Sequence, residues 1–287
     1  GSDIGKFMAK NIREHGGVIH RNTEVKRIVV EDGKVSYVET ADGSKVHGKN
    51  FISNMHPVRT LDMTESNLIK QAYKHRVKSL ENSIGGFVVN IVFEKNTYPY
   101  IKNNFYYIKD GQEWNLTEYN DETWPSCYAV FCSASSKSPD YAESMTLLAY
   151  MKFDEVKQWA DTFNTVSKEE DRGKDYEAFK KIKAEKLLSL VEERFPGVRK
   201  AIKSYYTATP LSYRDYIGND DGSMYGIAKD YSNPLKTFIS PRTKIPNLYL
   251  TGQNLNLHGI LGATMSGLVT SVAFLGSEDI IEKIRNA

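Results

Sequence analysis

The glycines at 252, 259 and 262 mark the part of this sequence best suited to hold a ligand. They lie in Asn247-Leu-Tyr-Leu-Thr-Gly-Gln253, then His258-Gly-Ile-Leu-Gly-Ala263, then Ser266-Gly267. A short apolar strand that turns through glycines into a helix gathers free N–H groups and the positive end of the helix dipole at one point. Such a point binds anions or electron-rich carbonyl groups. Gly259 and Gly262 let a ligand approach the backbone closely, and Ala263 and Gly267 are expected to let the helix pack tightly on a sheet. A glycine-rich strand–helix junction built only for packing has the same pattern, so the residues alone leave both readings open. His258 is the candidate proton donor of the segment, with a purely hydrogen-bonding role as its alternative.

The elements that must position this segment follow from periodicity. Residues 3–15 read as a helix with Ile4, Phe7, Met8 and Ile12 on one face, stopped by Gly16-Gly17. Val18–His20 reads as a short strand. Residues 23–31 and 34–40 read as strands joined at Asp32-Gly33, a pair that favours tight hairpin turns, and 49–53 as a return strand. Residues 60–80 read as one basic amphipathic helix region. Strands at 84–93, 104–108, 127–133 and 145–151 are separated by polar loops, as in an antiparallel sheet. Helices at about 153–163 and 174–195 follow, then a strand at 204–209. A strand at 247–251, a loop at 252–259, a helix at 260–275 and a terminal helix at 278–285 close the chain.

Composition narrows the function classes. There are 287 residues with 38 Lys+Arg against 36 Asp+Glu. That balance gives no electrostatic footprint for nucleic acid. Cys127 and Cys132 match no common zinc spacing and are expected to sit reduced in a strand, as in a cytoplasmic protein. No apolar run reaches the length of a membrane span, and the start lacks a signal-peptide core. The basic residues Lys70, Lys74, Arg76 and Lys78 suit either a solvated helix face or peripheral membrane contact. No Gly-x-Ser-x-Gly, His-Glu-x-x-His or Gly-x-x-x-x-Gly-Lys-Ser/Thr motif occurs.

Three segments in order carry a family resemblance. They are Gly16-Gly17-Val18-Ile19 through Asn22–Ile28, Asp32-Gly33, Asp42-Gly43 and Phe51-Ile-Ser-Asn54; Thr209-Pro210 through Tyr216 with Gly222–Gly226; and the 247–267 stretch. Together they resemble the C-terminal part of FAD-dependent oxidoreductases of the phytoene desaturase, carotenoid isomerase and retinol saturase family. The resemblance implies an α/β and α+β chain: a remnant of an FAD-binding Rossmann-like domain (1–56 and 237–287) plus a mixed or antiparallel-sheet substrate domain flanked by helices (57–236).

It further implies that the backbone of Val25 contacts the adenine. Thr251 ends the strand, Gly252 and Gln253 lie by the ribityl chain and pyrophosphate, and His258 to Gly262 cover the flavin edge. The N–H groups of Leu261 and Gly262 would then lie near a flavin carbonyl. Many flavoproteins of this type carry an acidic residue where Gln253 stands; glutamine both donates and accepts, so the role survives. The family's first motif, Gly-x-Gly-x-x-Gly with a later acidic residue, does not occur in these residues. The chain by itself is therefore expected to bind FAD weakly or not at all, a missing N-terminal FAD-binding segment being its implied partner.

The flavin would supply the redox chemistry, and the implied substrate is an apolar polyene or isoprenoid such as a carotenoid or retinol, changed at a C=C or C–C bond. Phe87, Phe105, Tyr107, Tyr128 and Phe131 are the candidates to line an apolar tunnel, with sheet-against-helix packing as the alternative. An amine-oxidase-like flavoenzyme would show an aromatic pair beside the flavin, and the loop before His258 offers none. A non-catalytic lipid- or partner-binding module is the remaining alternative.

Overall fold

The structure, a computed structural model, describes residues 2–165, 172–276 and 278–286. The chain forms two compact units. One holds the residues up to Ser79 and those from Phe238 onward; the other is Leu80–Thr237. Residues 57–79 thus pack with the first unit.

In the first unit, helix α1 (Ser2–Glu14) leads into an antiparallel meander of β1 (Val25–Glu31), β2 (Lys34–Thr40) and β3 (Lys45–His47). Asp32 and Gly33 both take positive φ, +48° and +77°, as a tight hairpin with two left-handed residues requires. Strand β4 (Phe51–Ser53) then waits for a partner almost two hundred residues away. That partner is β10 (Leu248–Leu250), which pairs parallel to it. Asn247 secures the junction. Its side-chain oxygen accepts from Val35 N at 2.8 Å, and its amide nitrogen donates to Val35 O at 2.9 Å and Lys49 O at 3.1 Å. One buried amide therefore ties β2, the lead into β4 and the lead into β10 together.

Two sequence readings change here. Val18–His20 is not a strand: it is exposed, irregular chain, because no neighbouring strand offers it a ladder among the described residues. The helix read over 60–80 is two helices, α2 (Pro57–Met63) and α3 (Gln71–Lys78). Thr64 leaves the helix to bridge Ile28 of β1, and Leu68 and Ile69 turn over Ser66. A tertiary contact overrides local periodicity.

The second unit is built on a five-stranded antiparallel sheet. It comprises β5 (Gly85–Phe93), β6 (Phe105–Ile108), β7 (Cys127–Ala134), β8 (Ala142–Met151) and β9 (Ile202–Ala208), ordered β6-β7-β8-β5-β9. Helix α4 (Lys174–Arg194) packs Ala184, Leu187, Leu188 and Val191 on one face of the sheet, beside Val156 and Trp159 from the 3-10 helix Phe153–Trp159. Short helices α5 (Val198–Ala201), α6 (Pro210–Ile217) and α7 (Pro234–Thr237) complete it. Helix α6 is not expected from periodicity, yet its cap is written in the sequence. Thr209 accepts from Leu211 N, Ser212 completes a capping box, and Pro210 sits where its missing N–H costs nothing. Both cysteines lie free on β7, at alternating positions that face opposite sides of the sheet.

A buried ionic knot fastens α6. The fully buried Asp215 carboxylate accepts from Arg172, from Arg214 Nε at 2.8 Å and from Asn164 N at 2.8 Å. Arg214 also donates to Ala160 O at 2.6 Å and to Thr162 O. Burial pushes the carboxyl up, but the bonds from Arg214, Asn164 and Arg172 outweigh it and hold Asp215 below the usual carboxylate range.

Asn247→Leu leaves the Val35 and Lys49 groups without partners and should cost about 3 kcal/mol. Denaturation followed by segment-resolved hydrogen exchange is expected to locate that loss in the first unit and leave the 85–208 sheet unchanged. Asp215→Ala should destabilise the second unit by about 3–5 kcal/mol, because two guanidinium groups lose their buried counter-charge. Since the folded carboxyl lies below its unfolded value, Asp215's contribution is complete above that unfolded value and is lost as pH falls through the folded one. An acid titration comparing Asp215→Asn with the parent checks the sign: the variant's stability should vary less over that window.

Candidate flavin-type site at the start of helix α8

Strand β10 ends where the chain must turn sharply, and the turn is set by contacts that only glycine tolerates. Thr251 N donates to Ser53 O at 2.9 Å and so extends the parallel ladder by one bond. Gly252 follows with φ +99°, and a β-carbon there would stand 2.0 Å from the Asn54 side-chain oxygen. Its N–H donates to Ser266 Oγ at 2.9 Å. The loop then closes with Leu255 N on Gly252 O at 3.2 Å, and helix α8 (Gly259–Leu275) begins after His258.

Helix α8 packs through a row of small and hydroxyl residues. Gly262, Ser266 and Thr270 are its buried positions, four residues apart on one face. A β-carbon at Gly262 would meet Leu257 O at 2.2 Å, and Thr270 Oγ1 bonds both Leu250 O at 2.9 Å and Ser266 O at 2.8 Å. This corrects the expectation for Ala263 and Gly267. Ala263 is exposed, and a β-carbon at Gly267 would meet nothing within 4 Å. They lie about 100° further round the helix than the packing row. Asn54, Asn247, Ser266 and Thr270 are the positioning residues that sequence reasoning passed over; the four-residue spacing of Gly262, Ser266 and Thr270 was the available signal.

The first residues of α8 face outward. Ile260 and Leu261 are each 71% exposed, with exposed Leu257 beside them in sequence. Gly259 has φ +75° and open space where a side chain would project. The first amides of α8 have no intrahelical acceptor. His258 occupies the N-cap position in an extended conformation, and its ring makes no capping bond to the helix. A backbone that can be approached at Gly259, helix amides without an intrahelical acceptor and exposed apolar side chains beside them fit a flat, partly apolar ring carrying a carbonyl acceptor. Gln253 is half-buried at the turn, and Val25 begins β1 opposite Thr40, on the meander that Asn247 ties to β10.

The aromatic candidates of the second unit divide between the two faces of its sheet. Register places Phe87 and Tyr128 both opposite Ala149, and Tyr107 opposite Tyr128. Phe87 and Tyr128 are buried in the core under α4; Phe87 packs edge-on to Trp124. Tyr107 and Phe105 lie on that same face towards its edge, next to Arg194 and Phe195 respectively. Phe131 alone stands on the other face, edge-on to the exposed Tyr106. The five residues therefore do not line one surface. A cleft of about 350 Å³, lined by Lys109, Gln112, Tyr119, Asn120, Thr123 and Ser126 among others, contains none of them.

Gly252→Ala combines a strained φ with an overlap that the Asn54 side chain must move to relieve, and should cost about 1–3 kcal/mol. Gly267→Ala, in a helix with free space, is expected to be neutral or to stabilise by about 0.5–1 kcal/mol. Thermal unfolding of the two variants side by side checks this; equal effects would refute the assigned packing row.

No family model matches the chain. Among curated proteins, the chain is 23% identical over 299 residues to all-trans-retinol 13,14-reductase of Danio rerio, covering 96% of this chain and 48% of that protein. It is 24% identical over 273 residues to the chloroplastic prolycopene isomerase of Daucus carota, covering 93% and 42% respectively. The chain thus spans about half the length of the curated relatives it matches. Among solved structures, an oxidoreductase from Methanosarcina mazei superposes with a TM-score of 0.53 at 17% identity, covering 92% of this chain and 51% of that one. That likeness establishes the fold, a Rossmann-like α/β portion with an α+β portion. Over almost its whole length the chain is similar to all-trans-retinol 13,14-reductases and prolycopene isomerases.

Proposed function

We propose that this chain is part of an FAD-dependent oxidoreductase that acts on a C=C or C–C bond of an apolar polyene, and that the flavin end of the cofactor lies on the turn from Thr251 to Gly262. The observation that supports this reading is the start of α8, where open space at Gly259 and the exposed Ile260 and Leu261 adjoin the helix's first amides at a turn held by Gly252 and Gly262. The names of the relatives, a retinol reductase and a prolycopene isomerase, support the apolar substrate class.

Bound there, the flavin supplies hydride or electron exchange with the substrate. The protein's part is positional. Amides at Leu261 and Gly262 would hold a ring carbonyl, where the helix dipole favours extra negative charge. Thr251, Gly252 and Gln253 would hold the ribityl and pyrophosphate portion, and the backbone of Val25 the adenine. Leu257, Ile260 and Leu261 would keep water from the ring. His258, adjoining these amides, would donate a hydrogen bond or a proton at the ring edge. For the substrate, Phe131 with Tyr106 on the sheet face opposite α4 is a better-placed apolar contact than Phe87 or Tyr128, which the core already occupies. Peripheral membrane contact through Lys70, Lys74, Arg76 and Lys78 would serve collection of such a substrate. Among the described residues no helix is long and apolar enough to cross a membrane.

The purified chain is expected to carry no flavin absorbance bands. Added FAD at millimolar concentration should slow amide exchange at residues 259–262, and Leu261→Asp should remove that protection. A chain that purifies yellow contradicts the expected weak binding. Protection that appears on the 85–208 strands instead contradicts the site.

A further inference from the structure

We infer that the face of the five-stranded sheet opposite α4 takes a long apolar alcohol laid across its strands, with the hydroxyl turned to the phenols of Tyr150 and Tyr213. The inference rests on the polyene reading proposed above and narrows it: the substrate is a hydroxylated chain rather than a hydrocarbon.

Register defines the surface. Phe87 and Val89 of β5, Tyr128 of β7 and Leu147 of β8 point into the core, so their neighbours along each strand point the other way. Pairing sets five of those neighbours abreast. Tyr106 stands opposite Ala129, Ala129 opposite Leu148, Leu148 opposite Val88, and Val88 opposite Ala208. One row thus crosses all five strands, and its only polar side-chain atom is the Tyr106 hydroxyl. At about 4.8 Å between strands the row is about 19 Å long. An elongated apolar molecule matches it better than a compact one.

The rows on either side use their polar groups differently. On one side Phe131, Thr146, Asn90 and Tyr206 stand abreast, and Thr146 Oγ1 donates to the Asn90 side-chain oxygen at 2.9 Å. On the other side Tyr150 stands opposite Gly86. Gly86 leaves a gap that the Met224 sulfur and Leu148 Cδ1 close: a β-carbon there would meet them at 2.8 and 3.0 Å. Half-buried Tyr150 therefore adjoins an apolar floor, and its hydroxyl has no partner among the described residues. The same holds for half-buried Tyr213 on α6, the helix that begins two residues after Ala208.

Tyr225 relates the two phenols. Its N–H donates to Ser83 Oγ at 3.1 Å beside the start of β5, and the residue lies within electrostatic reach of both Tyr150 and Tyr213. Burial first, and Tyr225 in addition, pushes Tyr213 up to about 12; burial also raises Tyr150. Both keep their protons and stand as neutral O–H groups. A hydroxyl can give and take a hydrogen bond with such groups, whereas a hydrocarbon can do neither. A site that bonds a substrate hydroxyl discriminates against the analogue lacking it.

The test needs no cofactor, so the flavin site does not enter it. Quenching of the intact chain's aromatic emission is titrated with all-trans-retinol and with the same polyene carrying hydrogen in place of the hydroxyl. The chain should bind the alcohol about 10-fold more tightly. Tyr150→Phe and Tyr213→Phe should each cut that preference to about 3-fold, and the double variant should abolish it. Hydrocarbon affinity and melting temperature should stay unchanged, since neither hydroxyl holds a bond in the structure. Tyr206→Phe, in the row on the far side, should keep the full preference. Equal affinity for the two probes, or a preference that survives the double variant, would overturn the hydroxyl recognition and leave the apolar-substrate reading standing. Binding of neither probe would overturn both.

Discussion

The parallel pairing of β4 with β10, held by the Asn247 side chain, is the constraint on which the first unit depends. It joins residues almost two hundred positions apart. Closing so long a loop is tolerable because the entropic cost grows only with the logarithm of length. The second unit is therefore an insertion between α3 and the return of the chain at Phe238. Asn247 accepts one bond and donates two, so little of its hydrogen-bonding capacity is wasted. Without that alignment the end of β10 would not be fixed, and the turn that follows could not be aimed.

From that fixed end, packing and presentation are separated on one helix. The row Gly262, Ser266, Thr270 is small enough to bring α8 against the strand, and two of its hydroxyls bond the strand's own backbone. The first turn is left outside this contact, with Ile260 and Leu261 projecting away. Exposed apolar side chains beside the first amides of α8 are what the proposed ring would cover.

Much of this was legible in the sequence. Asp32-Gly33 gave a hairpin, Leu248–Leu250 a strand, and the glycines at 252 and 262 a turn that the geometry requires. What stayed hidden was non-local. Thr64 interrupts an apparently continuous helix because β1 needs it. Val18–His20 has strand composition but no ladder. The aromatic residues of the sheet looked equivalent, yet a side chain's face depends on register, and a shift of one residue inverts it. Thus Phe131 and Tyr128, three apart on β7, face opposite sides. Thr209-Pro210 signalled a helix start that the preceding strand pattern masked.

The central claim is a position in space: a flavin ring on the first turn of α8. A crystal structure of the chain grown with FAD in large excess measures it most directly. The account predicts a flavin carbonyl oxygen within about 3 Å of the Leu261 or Gly262 nitrogen, with β4 and β10 still paired beneath it. A flavin bound elsewhere, with those amides facing solvent, would contradict it.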